Sequence, residues 1–186
     1  MATHDEFERL LDGVRDGSEA AASELFRRTQ PRLLRYLRSQ APGPAEDIAA
    51  EVWVAVATGL DRFEGDEDGF RGWVFTIARR RLLDHHRRTQ RQRTTPIEPH
   101  AFDDRVDGAA AAAVHSANDA QEAVDRIVAE LSPEQAEVVV LRIVADLDAD
   151  TVAAIMGRTA GWVRVTQYRA LKRLARRLDV NLEATR

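Results

Sequence analysis

The chain of 186 residues contains no cysteine, so a disulfide framework, thiol catalysis and a thiolate metal site are all excluded. No run of about eighteen apolar residues occurs, which leaves no membrane span and no expectation of direct membrane insertion. The opening Met1-Ala2-Thr3-His4-Asp5-Glu6 is acidic and polar where a signal peptide needs a basic flank and an apolar segment; the expected compartment is the cytoplasm. Lysine is almost missing as well: Lys172 is the single one among 27 basic residues. Catalytic patterns are equally scarce. There is no nucleophile-base pairing and no phosphate-binding glycine loop, Gly13 and Gly17 being isolated. His85-His86 is the one histidine pair, and adjacent helical residues point about 100° apart, so the two cannot form a facial metal site by themselves. Asp84 stands alone among arginines. Glu64, Asp66, Glu67 and Asp68 lack the spacing of a twelve-residue calcium loop. A metal-dependent nuclease is therefore disfavoured, and neither enzymatic activity, nor a metal, nor a cofactor is expected.

What is present is a composition of 44% hydrophobic and 31% charged residues, suited to a soluble protein with a buried core. The net charge of −4 hides a segregation. Residues 71–93 carry eight arginines (71, 79, 80, 81, 87, 88, 91 and 93) against Asp84, a net +7. Residues 157–177 carry Arg158, Arg164, Arg169, Lys172, Arg173, Arg176 and Arg177 with no acid, again +7. The remainder is −18. Two cationic segments in an otherwise anionic chain suggest two separate contacts with a polyanion rather than two solvated helix faces.

Periodicity predicts an all-α fold. Ser18 can cap a helix carrying Leu25, Phe26, Leu33, Leu34 and Leu37, with Pro31 expected to kink or divide it. Pro42-Gly43-Pro44 stops that helix, and Pro44 suits the first position of the next. The next helix is expected to bury Ile48, Val52, Trp53 and Val56 while Asp47 and Glu51, four apart, share an exposed face. Gly59 to Gly69 reads as a loop. A third long helix follows, with Phe70, Trp73, Val74 and Ile77 as its buried stripe and Thr76, Arg80 and Arg87 on another side. Between Thr94 and about Asn118 no amphipathic stripe survives Pro96, Pro99, Gly108 and five successive alanines, which reads as an interdomain linker. Two small helical domains, 1–93 and 119–186, are expected on either side of a 94–118 connection.

The second of these contains a helix-turn-helix pattern. Ser132-Pro133-Glu134-Gln135 is a capping box with proline in the first turn. Asp148 can cap a short helix bearing Val152, Ala153, Ile155 and Met156; Gly157 supplies a turn; Thr159 can cap a longer basic helix to about Leu178. Small Ala153 permits close packing, Gly157 gives the turn its freedom, and Val163 fills the angle between the helices. The N-terminal part of the second helix, with Trp162, Arg164, Val165, Tyr168 and Arg169, is the part that enters a major groove in such motifs, and Arg173, Arg176 and Arg177 suit phosphates.

In the first domain, aromatic groups and a dense basic face coincide over residues 70–88, a combination suited to melted nucleic acid. For Trp73 a place in the core is the better assignment. FRGWVFTIARRRLLDHHRR (70–88) resembles regions 2.3 and 2.4 of the extracytoplasmic-function sigma factors, the small group of the bacterial sigma-70 family. AEDIAAEVWVAV (45–56) resembles their region 2.2, and LSPEQAEVVVLRIVADLDADTVAAIMGRTAGWVRVTQYRALKRL (131–174) their region 4. The match runs in the family's order over nearly the whole chain.

The resemblance implies a dissociable initiation subunit of core RNA polymerase. Helix 45–56 would bind the polymerase clamp, with Asp47 and Glu51 as polar contacts and Ile48 and Val52 mostly packing. The −10 promoter element would be read and held open by Phe63, Arg71, Thr76, Arg79, Arg80, Asp84, Arg87 and Arg88. The −35 element would be read by Arg158, Thr159, Trp162, Arg164, Val165, Tyr168, Arg169 and Arg173, with the same domain docking on the polymerase flap. An anti-sigma factor is an expected partner. Two departures bear on promoter sequence. Arg80 stands where family members often have asparagine, which loses an amide's paired donor and acceptor. Trp162-Val163-Arg164-Val165-Thr166 replaces the common Thr-Val-Lys-Ser-Arg, and Val165 can pack on a thymine methyl but cannot donate a hydrogen bond. The alternative is a stand-alone helix-turn-helix regulator, which leaves residues 71–93 unmotivated and predicts tight duplex binding by the protein alone.

Overall fold

A computed structural model describes residues 4–93, 121–122 and 124–184, all-helical with no strand among them. The 94–118 connection anticipated above lies outside the described residues.

The first element, α1 (His4–Arg15), is one that the capping signals do not announce; Asp5 and Glu6 in its first turn suit the helix dipole, and Phe7 and Leu11, four apart, are buried. In α2 (Glu19–Gln40) the Ser18 hydroxyl accepts the Ala21 N–H at 3.3 Å. Pro31 lies inside this helix without dividing it. Buried residues on both sides of it, Leu25 and Thr29 before, Leu33, Tyr36 and Leu37 after, hold the two halves to one core, while exposed Pro31 leaves the freed carbonyl on the solvent side. Pro44 stands one position earlier than expected, as the N-cap of α3 (Ala45–Gly59). A 3-10 turn, Leu60–Arg62, shortens the predicted loop, and α4 begins at Glu67 and runs to Arg93. The Asp66 carboxylate accepts the Gly69 N–H at 2.8 Å and so caps that start.

These four helices enclose Leu33, Leu37, Ile48, Val52, Val74 and Phe75. Burying each such aliphatic or aromatic side chain contributes about 1.5–3 kcal/mol. Tyr36 meets Phe75 edge-on at 5.5 Å, and Phe63, Phe70 and Trp73 form an aromatic cluster beneath the start of α4.

The C-terminal half opens with a helical segment, α5 (124–129), then α6 (Pro133–Val139), whose Ser132–Gln135 capping box is formed in both directions. The β-branched run beginning at Val138 passes into a π-helical turn, Val140–Val144, closed by Ala145 N–H to the Val140 carbonyl at 3.0 Å. Arg142 pins this turn, donating to the Leu147 carbonyl and, at 3.0 Å, to Gln167 Oε1. Next come α7 (Ala149–Met156) and α8 (Ala160–Ala184), the latter longer than periodicity suggested. Gly157 between them takes φ 65°, ψ 38°, a left-handed conformation that costs glycine little. Val163 is fully buried in the angle and Ala153 nearly so.

The two halves touch. Helix α4 packs on α7 and α2 on the π-helical turn, so the buried residues of both form one continuous cluster.

Candidate nucleic-acid and polymerase surfaces

Three surfaces collect the residues singled out above. The first is α4 with the loop before it. Phe63 is half-buried, its ring stacked on Trp73 at 5.2 Å and 22°, and its carbonyl accepts from Arg15 at 2.5 Å. Thr76, Arg80 and Arg87 are exposed and share a face of α4, as helical spacing requires. Arg80 makes no ion pair among the described residues. Asp84 accepts from Arg87 at 3.2 Å, and Arg81 and Arg88 approach Glu51 at 3.9 and 3.7 Å. The other two members of the −10 set sit elsewhere. Arg71 is largely buried and pairs with Asp68, while its Nε has no partner. Arg79 turns toward the C-terminal half, donating to Glu137 Oε1 at 2.9 Å and to the Ile155 carbonyl at 3.3 Å.

The second surface is the outer face of α3. Asp47 and Glu51 are exposed. Ile48 and Val52 are 3% and 0% exposed, so their part is to seat the helix rather than to meet a partner. Trp53, expected in the buried stripe, is only half-buried; its indole donates to Gln30 at 2.6 Å and its ring lies 5.0 Å from Phe26. With Phe26 45% and Val54 68% exposed, these three form an apolar ridge beside Glu51. Sequence reasoning missed it because α3 is apolar on nearly every side and periodicity cannot choose its inner face.

The third is the helix-turn-helix. Asp148 caps α7, its Oδ1 accepting the N–H groups of Asp150 and Thr151 at 2.8 Å and its Oδ2 the Thr151 hydroxyl at 2.8 Å. The Thr151 bonds, backbone first and hydroxyl second, hold the carboxyl below its usual range. Thr159 accepts the Trp162 N–H at 3.2 Å and starts α8. Val165, Tyr168, Arg169, Lys172 and Arg173 are exposed, spaced to form one outward face, and Lys172 lies 5.7 Å from the Tyr168 ring centroid. Arg164 is held by Asp150 at 3.2 Å; Arg158 reaches Glu134 at 2.8 Å and lies over Trp162 at 5.1 Å.

The geometry is thus two cationic helical faces, on α4 and α8, and an acidic-apolar ridge on α3. Comparison with known proteins gives the class: the family model described as Sigma-70 region 2 matches residues 25–92, and that described as Sigma-70, region 4 matches residues 121–174. ECF RNA polymerase sigma factor ShbA of Streptomyces griseus is 33% identical over 89% of this chain and 91% of its own. SigD of Mycobacterium tuberculosis, also an ECF RNA polymerase sigma factor, is 31% identical over 85% of this chain and 77% of its own. The fold is shared with sigma factor RpoE of Bartonella quintana, solved in complex with the anti-sigma factor NepR, at TM-score 0.60, 24% identity and coverage of 85% and 96%. The chain belongs to the extracytoplasmic-function sigma factors of RNA polymerase. Among its described residues no helix is long and apolar enough to cross a membrane.

Proposed function

We propose that this alternative sigma factor joins core RNA polymerase in the cytoplasm and directs initiation at promoters carrying matched −10 and −35 elements. It acts as an initiation factor, not as an enzyme. The observation that carries the reading is the pair of outward cationic faces, one in each family region and in the family's order.

In this reading residues 1–93 form the −10 domain, 94–118 the connection and 119–186 the −35 domain. Thr76, Arg80 and Arg87 face the melted −10 strand, flanked by Asp84 and Arg88. Phe63, half-buried and stacked on Trp73, supplies an aromatic surface near the start of α4. Arg71 and Arg79 complete that set once the C-terminal half moves away. On α8, Val165, Tyr168 and Arg169 meet base edges, and Arg158, Thr159, Trp162, Arg164 and Arg173 hold the backbone and the angle of entry. Asp47 and Glu51 are the polar contacts to the polymerase clamp, the ridge of Phe26, Trp53 and Val54 the apolar ones, and the −35 domain docks on the flap. An anti-sigma factor, of the kind seen with the Bartonella relative, holds the protein in reserve.

Sigma-free core polymerase mixed with the purified protein and genomic fragments of its own host tests this. Discrete start sites that core alone does not give are expected, and their upstream sequences define both elements. No stimulation and no core binding, alongside tight duplex binding by the protein alone, would instead support a stand-alone regulator.

A further inference from the structure

Arg142 ties three elements of the C-terminal half to one another. It leaves the π-helical turn, donates through Nη1 to the Leu147 carbonyl just before the cap of α7, and donates through Nε to Gln167 Oε1 in the second turn of α8. The turn is what aims it. Its i→i+5 bond, from the Ala145 N–H to the Val140 carbonyl, holds one residue more than an α-helical turn and so puts Arg142 out of phase with the face of α6. Both acceptors are neutral, and Arg142 makes no ion pair among the described residues, so its whole charge strengthens these two bonds. A guanidinium only donates, which fixes the Gln167 amide with its oxygen toward Arg142.

Gln167 stands four residues after Val163 and three before Ala170, both fully buried, and is itself only partly exposed. It therefore belongs to the inner side of α8, while Val165, Tyr168 and Arg169 form the outward face. Val163 and Ala170 are small and their packing is non-directional, so they set how close α8 lies more than how it is rotated. The Arg142–Gln167 bond is directional and weakens steeply off its axis. Rotation matters at the groove. With side-chain tips about 5–6 Å from the helix axis, a roll of about 20° moves each tip by roughly 2 Å. The range of good hydrogen-bond lengths is only about 0.5 Å wide. Another tie on α8, Arg164 to Asp150, is solvent-exposed at both ends and restrains the roll little.

We propose that Gln167, held by Arg142, is a positioning residue for −35 recognition: the pair sets the roll of α8, and so which base edges Val165, Tyr168 and Arg169 meet, without Gln167 touching a base. The inference rests on reading α8 as the −35 surface.

The test uses holoenzyme made with the full chain, on duplexes carrying the −35 element found by the initiation assay and on single-base variants of it. Gln167→Leu keeps the bulk of the side chain but offers Arg142 no acceptor. Discrimination between the best and the mismatched elements should fall at least about tenfold, while affinity for unrelated DNA stays within about twofold because no phosphate contact is lost. Arg142→Lys keeps the charge without the planar fork and should lose the same discrimination. The double substitution should be no worse than either single one, since all three break one bond. Gln167→Glu keeps the acceptor and should retain the parent's preference. Unchanged discrimination in Gln167→Leu would overturn the inference, as would equal weakening on all DNA with discrimination intact. A loss in Gln167→Glu as large as in Gln167→Leu would overturn it in favour of direct base reading by the amide N–H groups. A parent that initiates from discrete sites but shows no −35 preference would overturn the reading of α8 and this inference together, whereas failure confined to the variants' preferences leaves that reading standing.

Discussion

Not all the arginines on the two cationic faces are equally free to act. Arg169 and Arg173 are exposed and make no ion pair among the described residues, whereas Arg164 is held by Asp150 and Arg158 by Glu134. Arg169→Ala should weaken −35 binding by about 1–3 kcal/mol and relax preference at one position, as loss of a base contact does. Arg173→Ala should weaken all sequences alike and reduce the salt slope by about one phosphate's worth. Fluorescence anisotropy of the holoenzyme on −35 variants, at several salt concentrations, separates the two. Asp150→Ala releases Arg164 from an exposed pair and should change thermal stability by less than about 1 kcal/mol. At this scale the sequence was informative for surface residues and silent on Glu137. Its partners Tyr36 and Arg79 are 101 and 58 positions away, a separation that no local pattern reports.

The helix-turn-helix was the most legible element, because caps act over three or four residues. Ser132, Asp148, Gly157 and Thr159 each make the bond or take the dihedral angles that their chemistry foretold. The features that stayed hidden are those fixed by tertiary packing: the continuity of α2 through Pro31, the π-helical turn after Val139, and the outward ridge of Phe26, Trp53 and Val54. Asp148 gives a test of the capping account. Asp148→Ala should destabilise the C-terminal half by about 0.5–2 kcal/mol, measured by thermal unfolding followed at Trp162. The pH dependence has a definite sign. The folded carboxyl ionises at lower pH than its unfolded counterpart, so its contribution is complete above the ordinary carboxylate range near 4 and is withdrawn as pH falls through the lowered value. Asp148→Asn keeps an acceptor without the titrating charge, and the difference from the parent should vanish in acid.

For the molecule as a whole, charge segregation sets the strength and salt dependence of DNA binding. If six to ten cations of the α4 and α8 faces neutralise phosphates, promoter affinity should fall about 10³ to 10⁵-fold between 50 and 200 mM salt. Contact through α8 alone should give a visibly shallower slope in the same titration. The division into two helical halves was readable from the pattern collapse after Thr94, but their mutual packing was not, since it joins apolar residues of both halves, a part-buried carboxylate at Glu137 and the bare backbone of Gly72, all far apart in the chain. The bonds made by Arg79 have a thermodynamic corollary. If promoter and polymerase each bind the protein with these bonds broken, the two are linked: whatever factor polymerase adds to promoter affinity by breaking them, promoter must return to polymerase, with no contact needed between the two.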